Sequence, residues 1–117
     1  MIWDTDGPLV ETVPFDDVID AVSENGRRRI SLLKIDCEGA EFPILLTSNR
    51  LARIDRIVGE YHELRAELPR HVRLPDCEQF TVETLAAHLE AAGFMVMLEP
   101  QATATFGALG LFFAQRP

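Results

Sequence analysis

The sequence predicts an α/β domain with an open, mostly parallel sheet that ends in an antiparallel strand. Short apolar segments alternate with segments that have the periodicity of amphipathic helices. The segment ISLLKID, residues 30–36, is apolar on both faces, as the strands of parallel sheets are. The last two apolar segments, 94–100 and 108–116, have no helix between them, which favours an antiparallel pair.

The elements of the first half can be assigned in order. Residues 1–9 are predicted to be a loose leader, and VETVPF, residues 10–15, a short edge strand. Apolar residues then recur at the i, i+3, i+4, i+7 spacing of a helix that begins at Phe15. Gly26 suits the turn that ends this helix. The strand 30–36 follows, so residues 10–63 hold most of the recognisable pattern.

The remaining elements continue the alternation. We predict a helix over 40–52 and a strand over 54–63, which together with the preceding strand would form a right-handed βαβ unit. Residues 64–80 are predicted to be a long loop. Residues 81–117 are predicted to hold a helix over 82–92, capped by Thr81, and the final strand pair, so that 1–117 is a single domain.

Composition narrows the functional classes. The 117 residues include 19 acidic and 11 basic residues, for a formal charge of −8, so neither nucleic acid nor an anionic membrane is an expected partner. No apolar run approaches the roughly 18 residues of a membrane span, and the first residues do not resemble a signal peptide. We therefore expect a cytoplasmic protein.

Polar residues lie at the predicted carboxyl ends of two strands. Asp36 and Glu38 follow the strand 30–36, and Glu60 and His62 end the next strand. Open α/β sheets bind ligands at this edge, and directly paired strands lie about 4.8 Å apart. A carboxylate beside an imidazole can act as a general base or bind a divalent cation. Because no dedicated ligand spacing is present, the sequence predicts no resident metal.

Each of these residues also has a structural interpretation. Asp36 could cap the following turn or helix, and Glu38 and Glu41 could favour a helix N-terminus through their charge alone. Lys34, the single lysine of the chain, could form a structural ion pair with Glu60 inside the sheet or extend to solvent. His62 could lie at the rim without a catalytic role.

The segments KIDCEGAE, residues 34–41, and GEYHE, residues 59–63, resemble the C-terminal half of the FkbM family of methyltransferases. The resemblance covers residues 10–63, with Pro14 and Phe15 in place of the usual Thr-Leu pair. The matching residues are Lys34, Ile35, Asp36, Glu38, Gly39, Ala40, Glu41, Glu60 and His62.

The resemblance implies a Rossmann-like class I fold that uses S-adenosylmethionine to methylate a hydroxyl of a small molecule such as a sugar or natural product. It places Asp36 near the transferred methyl group, with Glu38 as a weak second candidate for cofactor contact. It places Lys34, Glu60 and His62 on the acceptor side, so that the catalytic candidates are Asp36, His62, Glu60 and Lys34.

The cofactor loop of such enzymes is not evident in the sequence. They hold the cofactor with a glycine-rich loop after the first strand, because glycine permits close backbone approach. None of the seven glycines forms a G-x-G pattern. We therefore expect that the first two βα units are missing and that this chain alone binds little cofactor and is inactive. A second chain, or a homodimer, would complete the sheet.

A different class of function is also open. The chain could be a non-catalytic α/β interaction module, or a gene remnant, that dimerises through an exposed sheet edge.

Overall fold

The computed structural model describes residues 9, 11–63, 80–101 and 109–117, and every structural statement below concerns these residues. Most of the predicted leader 1–9 and of the predicted loop 64–80 lies outside them. Three helices and four strands follow one another in the described part: α1 (Phe15–Val22), β1 (Leu33–Ile35), α2 (Glu41–Thr47), β2 (Arg56–His62), α3 (Val82–Ala91), β3 (Met95–Pro100) and β4 (Leu109–Gln115).

The strands form one mixed sheet with the order β1-β2-β4-β3. β1 and β2 are parallel, whereas β4 is antiparallel to both of its neighbours. The parallel βαβ pairing and the antiparallel finish are confirmed. The prediction of a mostly parallel sheet is corrected, because β4 inserts between β2 and β3 and makes two of the three neighbouring pairs antiparallel.

The helix predicted to begin at Phe15 is confirmed as α1, but the strand predicted over residues 10–15 is wrong in its described part. Residues 11–14 form no strand. Instead, Pro14 precedes α1, and its carbonyl accepts the backbone N–H of Asp17 at 3.1 Å. Proline has no N–H to donate to a ladder, so the segment leads into the helix. Val13 remains 63% exposed.

β1 is shorter and more exposed than predicted. The expected strand over 30–36 is reduced to Leu33–Ile35, with an isolated bridge between Ile30 and Ile54 before it. Within the described chain β1 is an edge strand that packs on one face only, so Ile35 is buried whereas Lys34 is exposed. The expectation of a strand buried on both faces is therefore wrong here.

The helix predicted over 40–52 is divided. α2 ends at Thr47, and a separate 3-10 turn covers Leu51–Arg53. The interruption has a local cause: the carboxylate of Asp16 on α1 accepts the Ser48 hydroxyl and the Asn49 backbone N–H. These bonds hold the chain out of helical geometry at that point.

α3 begins as predicted. The hydroxyl of Thr81 accepts the backbone N–H of Thr84 at 3.2 Å, which is the expected N-cap. The helix ends before Gly93, whose φ of +100° lies in the left-handed region that glycine adopts without strain. No helix in the described ranges is long and apolar enough to cross a membrane.

The core lies between the sheet and the helices, and it fixes the end of β2. A Cβ on Gly59 would lie 2.6 Å from Cε1 of Phe112 and 2.7 Å from the carbonyl oxygen of Ile35. Only glycine lets the neighbouring strands approach this closely, and the position of the next residue, Glu60, depends on this contact. The buried apolar side chains are Ile19, Ile35, Phe42, Leu45, Leu51, Ile54, Ile57, Tyr61, Val82, Leu85, Leu89, Phe94, Phe112 and Ala114.

Candidate functional site

The carboxyl ends of β1 and β2 meet at one edge of the sheet. The parallel register pairs Leu33 with Ile57 and Ile35 with Gly59. Asp36, the residue after Ile35, therefore lies beside the end of β2, which carries Glu60 and His62. One ligand atom from each of these three residues lies within 4.8 Å of the other two. The structure thus brings together three of the predicted site residues, which we call the rim cluster: Asp36, Glu60 and His62.

His62 lies between two carboxylates. Its Nδ1 is 3.3 Å from Oε1 of Glu41, and its Nε2 is 3.3 Å from Oε1 of Glu60. The side chain is 20% exposed, so one edge of the ring reaches the surface. Carboxylate oxygens without a proton only accept hydrogen bonds, so the ring can donate to Glu41 from Nδ1, to Glu60 from Nε2, or to both. Nε2 is the nitrogen that faces the rim cluster.

Glu41 is the residue that the sequence interpretation missed. It was assigned a charge effect at a helix start, but its side chain is fully buried. Its Oε2 accepts the backbone N–H of Gly39 at 2.9 Å, and its Oε1 accepts the backbone N–H of His62 at 2.8 Å. A carboxylate held by two backbone donors joins the start of α2 to the end of β2. Its position in the KIDCEGAE motif was the sequence feature that could have indicated a role for Glu41.

A second buried carboxylate supports the same end of β2. Glu63 is 7% exposed, and its Oε1 accepts the backbone N–H of Val82, the first residue of α3, at 2.7 Å. The sequence analysis gave this residue no role. Together with Glu41, it anchors the segment that carries Glu60 and His62 to two helices.

The remaining predicted residues lie outside the rim cluster. Lys34 is exposed beside Val58 in the register, and among the described residues no ion pair joins it to Glu60. Glu38 is exposed with a φ of +50°, in the tight turn before Gly39. α2 has no side-chain cap, so the interpretation of Asp36 as its N-cap is not what the structure shows. The catalytic roles of all these residues stay predictions.

The rim is a region of negative potential. Partial burial, and then the negative charges of Glu41 and Asp36, raise the pKa of the Cys37 thiol above its usual value. The thiol therefore stays protonated near neutral pH, and Cys37 is a poor candidate for a nucleophile.

Two glycines of the sheet and two surface depressions were candidate places for S-adenosylmethionine among the described residues, and none of them opens at the rim. The space beside Gly59 and Gly110 is occupied by protein atoms, because a Cβ on either glycine would meet an aromatic ring of the adjacent strand. Two surface depressions lie away from the rim: one at the opposite end of β2 includes Ser31 and Arg56, and one between α1 and α2 includes Phe15.

Comparison with known proteins identifies the family. No curated protein and no solved structure matches the chain. The family model described as the methyltransferase FkbM domain matches residues 3–96, a longer stretch than the 10–63 that the motifs indicated. The match includes the whole rim cluster, the buried Glu41 and most of the helices and strands. Because it spans well over half of the 117 residues, this chain belongs to the FkbM methyltransferase family.

Proposed function

We propose that this chain carries the acceptor side of an O-methyltransferase, where the rim cluster binds a hydroxyl group of a small molecule and removes its proton. The observation that carries the proposal is the placement of His62, held at an exposed rim by a buried carboxylate on one side and facing a second carboxylate on the other. Family membership supplies the reaction class, and this geometry supplies a candidate for the base.

The chemistry requires such a group. Methylation of a hydroxyl forms a carbon–oxygen bond and releases the hydroxyl proton, which needs an acceptor at the site. S-adenosylmethionine, when bound, supplies the electrophilic methyl group. His62 accepts the proton at Nε2, and Glu41 at Nδ1 stabilises the imidazolium that results. Asp36, exposed on the same rim, orients the hydroxyl and is the second candidate for the base.

Glu60 and Lys34 have supporting roles in this proposal. Glu60 lies 3.3 Å from Nε2 and favours positive charge there, and its oxygens can accept further hydroxyls of a sugar-like acceptor. Lys34 extends from the same edge of the sheet and is free to contact a polar acceptor.

The methyl donor would be held with the help of a further polypeptide. Two observations support this part of the proposal: the space beside Gly59 and Gly110 is occupied by aromatic rings, and among the described residues β1 is an edge strand whose backbone groups can pair with another strand. Leu32, just before β1, is 47% exposed, as expected for a residue that another segment covers. A strand added there would extend the sheet toward the Rossmann-like arrangement of class I methyltransferases.

The first experiment is isothermal titration of the purified, folded chain with S-adenosylmethionine and with its demethylated product. We expect no binding by the chain alone. A micromolar dissociation constant, about −8 kcal/mol, would place the cofactor site within this chain and overturn the requirement for a further polypeptide.

The base is tested in the active assembly. The chain is co-expressed with a partner polypeptide that contains a strand followed by a glycine-rich turn, and transfer of labelled methyl to hydroxylated small molecules is measured. We expect His62→Gln to lower kcat by about 100-fold, within the usual range for a general base. Glu90→Gln, an exposed change on α3, is the matched control. Equal activity of both variants would contradict the role of His62.

An interaction module is the second candidate function. One face of the β3–β4 pair exposes large apolar side chains, with Met95 57%, Met97 67% and Phe113 36% exposed. A face of this kind is typical of a surface that another protein covers. Analytical ultracentrifugation of the chain alone tests this alternative. A stable dimer, together with unchanged methyl transfer by the His62→Gln variant in the active assembly, would favour an interaction module over the enzyme.

A further inference from the structure

We propose that the rim cluster of Asp36, Glu60 and His62 binds one divalent cation of the first transition row, such as Mn²⁺. Ligands of such an ion at bonds of about 2.1 Å lie roughly 3 to 4 Å from one another. Nε2 of His62 and Oε1 of Glu60 are already 3.3 Å apart, and the three ligand atoms are all within 4.8 Å. The exposed Asp36 side chain would supply the third ligand atom.

The orientation of His62 is the independent argument. Glu41 is outside the cluster and fully buried, and its carboxylate faces Nδ1. Histidine ligands of metals commonly donate the other ring N–H to a carboxylate in this way, which fixes the tautomer and turns the free nitrogen toward the ion. In the tautomer with the hydrogen on Nδ1, the lone pair of Nε2 faces Oε1 of Glu60. A cation bound between these two atoms would take the place that a proton on Nε2 otherwise fills.

The charges around the cluster also favour a bound cation. Three carboxylates, those of Asp36, Glu41 and Glu60, converge here. Lys34, the only basic side chain on β1, forms no ion pair among the described residues. The arginines of the described chain that form ion pairs do so elsewhere, with Asp20 and Asp55. A bound cation would therefore compensate charge that the described protein groups do not.

The ligand types select the class of ion. Two carboxylates and one imidazole suit Mn²⁺, Zn²⁺ or Fe²⁺ better than Ca²⁺, which prefers oxygen ligands alone. Three protein ligands leave positions open for water or for oxygens of another molecule. Sequence spacing did not predict this site, because Asp36 and the Glu60/His62 pair lie on separate strands and only their parallel pairing brings them together.

The catalytic meaning of the ion rests on the proposed function, whereas its binding does not. A hydroxyl coordinated to the ion is more acidic than a free one. Nε2 of His62 would then be a ligand and could not accept the proton, which would pass to the uncoordinated oxygen of Asp36. The ion-bound and ion-free forms therefore use different bases.

The test is titration of the chelator-treated chain with Mn²⁺, in which free Mn²⁺ is measured by electron paramagnetic resonance. We expect saturable binding of one ion per chain. Asp36→Asn and His62→Gln should each weaken it by about tenfold or more, as loss of metal-site groups does. Glu90→Gln should bind like the wild type. Absence of saturable binding by the folded chain, or equal affinity in all variants, would overturn the proposal.

A second measurement uses the wild-type chain alone, so it does not require any variant to fold. Pulsed resonance spectra of Mn²⁺ bound to the wild-type chain should show coupling to an imidazole nitrogen, and bound Mn²⁺ without this coupling would overturn the assignment of His62. Failure of methyl transfer by the active assembly would count against the proposed function and would leave this result unaffected, so the two proposals can fail separately.

Discussion

Two groups of charged residues in this small domain are built differently. In the arginine–aspartate cluster, formed by Asp20, Arg50 and Arg53, Oδ1 of Asp20 lies 2.7 Å from Nε of Arg50 and 2.6 Å from Nη1 of Arg53. In the rim cluster, by contrast, a carboxylate oxygen of Glu60 faces an imidazole nitrogen, and Asp36 has no basic partner among the described residues. Opposite charges meet in the first cluster, whereas acceptors converge in the second.

The difference separates a structural role from a binding role. The arginine–aspartate cluster fastens α1 to the 3-10 turn and satisfies its groups internally. In the rim cluster, Glu41 holds the end of β2 from the buried side, and the exposed Asp36 has no basic partner among the described residues. A proton, a cation or a ligand that binds there can stabilise these carboxylates.

The largest effect on stability should come from the support of the rim cluster. Glu41→Ala removes a buried carboxylate and leaves the backbone N–H groups of Gly39 and His62 without their acceptor. We expect a loss of about 3 kcal/mol in the free energy of unfolding, measured with urea. Glu90→Ala, on an exposed helix face, should change it by less than about 0.5 kcal/mol. Similar values for the two would show that Glu41 does not anchor β2.

The next test compares one aspartate from each cluster. Asp20→Asn weakens two ion pairs and should lower the unfolding free energy more than Asp55→Asn, which weakens only the exposed pair with Arg29. Asp36→Asn should change stability by less than about 0.5 kcal/mol, because its carboxylate has no basic partner in the described chain. If Asp36→Asn proved the most destabilising of the three, the rim cluster would have a structural role, and the proposed difference between the two clusters would be wrong.

The same pair of clusters differs in pH dependence. The hydrogen bond from Arg50 is the largest influence on the pKa of Asp20 and lowers it; burial opposes this effect, and the hydrogen bond from Arg53 with the charges of both arginines leaves the pKa below its usual value. The folded chain therefore binds this proton less tightly than the unfolded chain, whose aspartates titrate near about 3.9. The stability difference between wild type and Asp20→Asn should be full at neutral pH and shrink as the pH falls below that value. A difference that stayed constant as the pH falls from 7 to well below about 3.9 would contradict the ion-pair explanation.

The smallest expected effect concerns the core beside the rim. Burial, and then the negative charges of Glu63 and Glu83, raise the pKa of Tyr61, the single tyrosine. The folded chain then keeps its proton above pH 10, where the unfolded chain loses it, so stability should decrease as the pH rises past about 10. Absorbance of tyrosinate reports this residue alone, and we expect its midpoint above that of the urea-unfolded chain. Equal midpoints would mean that Tyr61 is accessible to water.

Much of the fold follows from local sequence. The periodicity that begins at Phe15 and the Thr81 cap identify α1 and α3, and the KIDCEGAE motif was sufficient to indicate the family. For the site, the sequence correctly placed polar residues at the ends of two adjacent strands. These features depend on neighbours in the chain, because helix periodicity, caps and turns are satisfied within a few residues.

Other features were decided by contacts between distant residues. The insertion of β4 between β2 and β3, the exposure of Lys34 on an edge strand and the break in the helix after Thr47 depend on which segments meet in space. The burial of Glu41 is the clearest case, since the residue looks like any acidic residue at a helix start. Only the parallel pairing of β1 with β2 brings His62 over its carboxylate. Sequence alone determined which groups this protein has for its chemistry, and the tertiary structure decided which of them face one another, because a side chain's partners depend on packing between elements rather than on spacing along the chain.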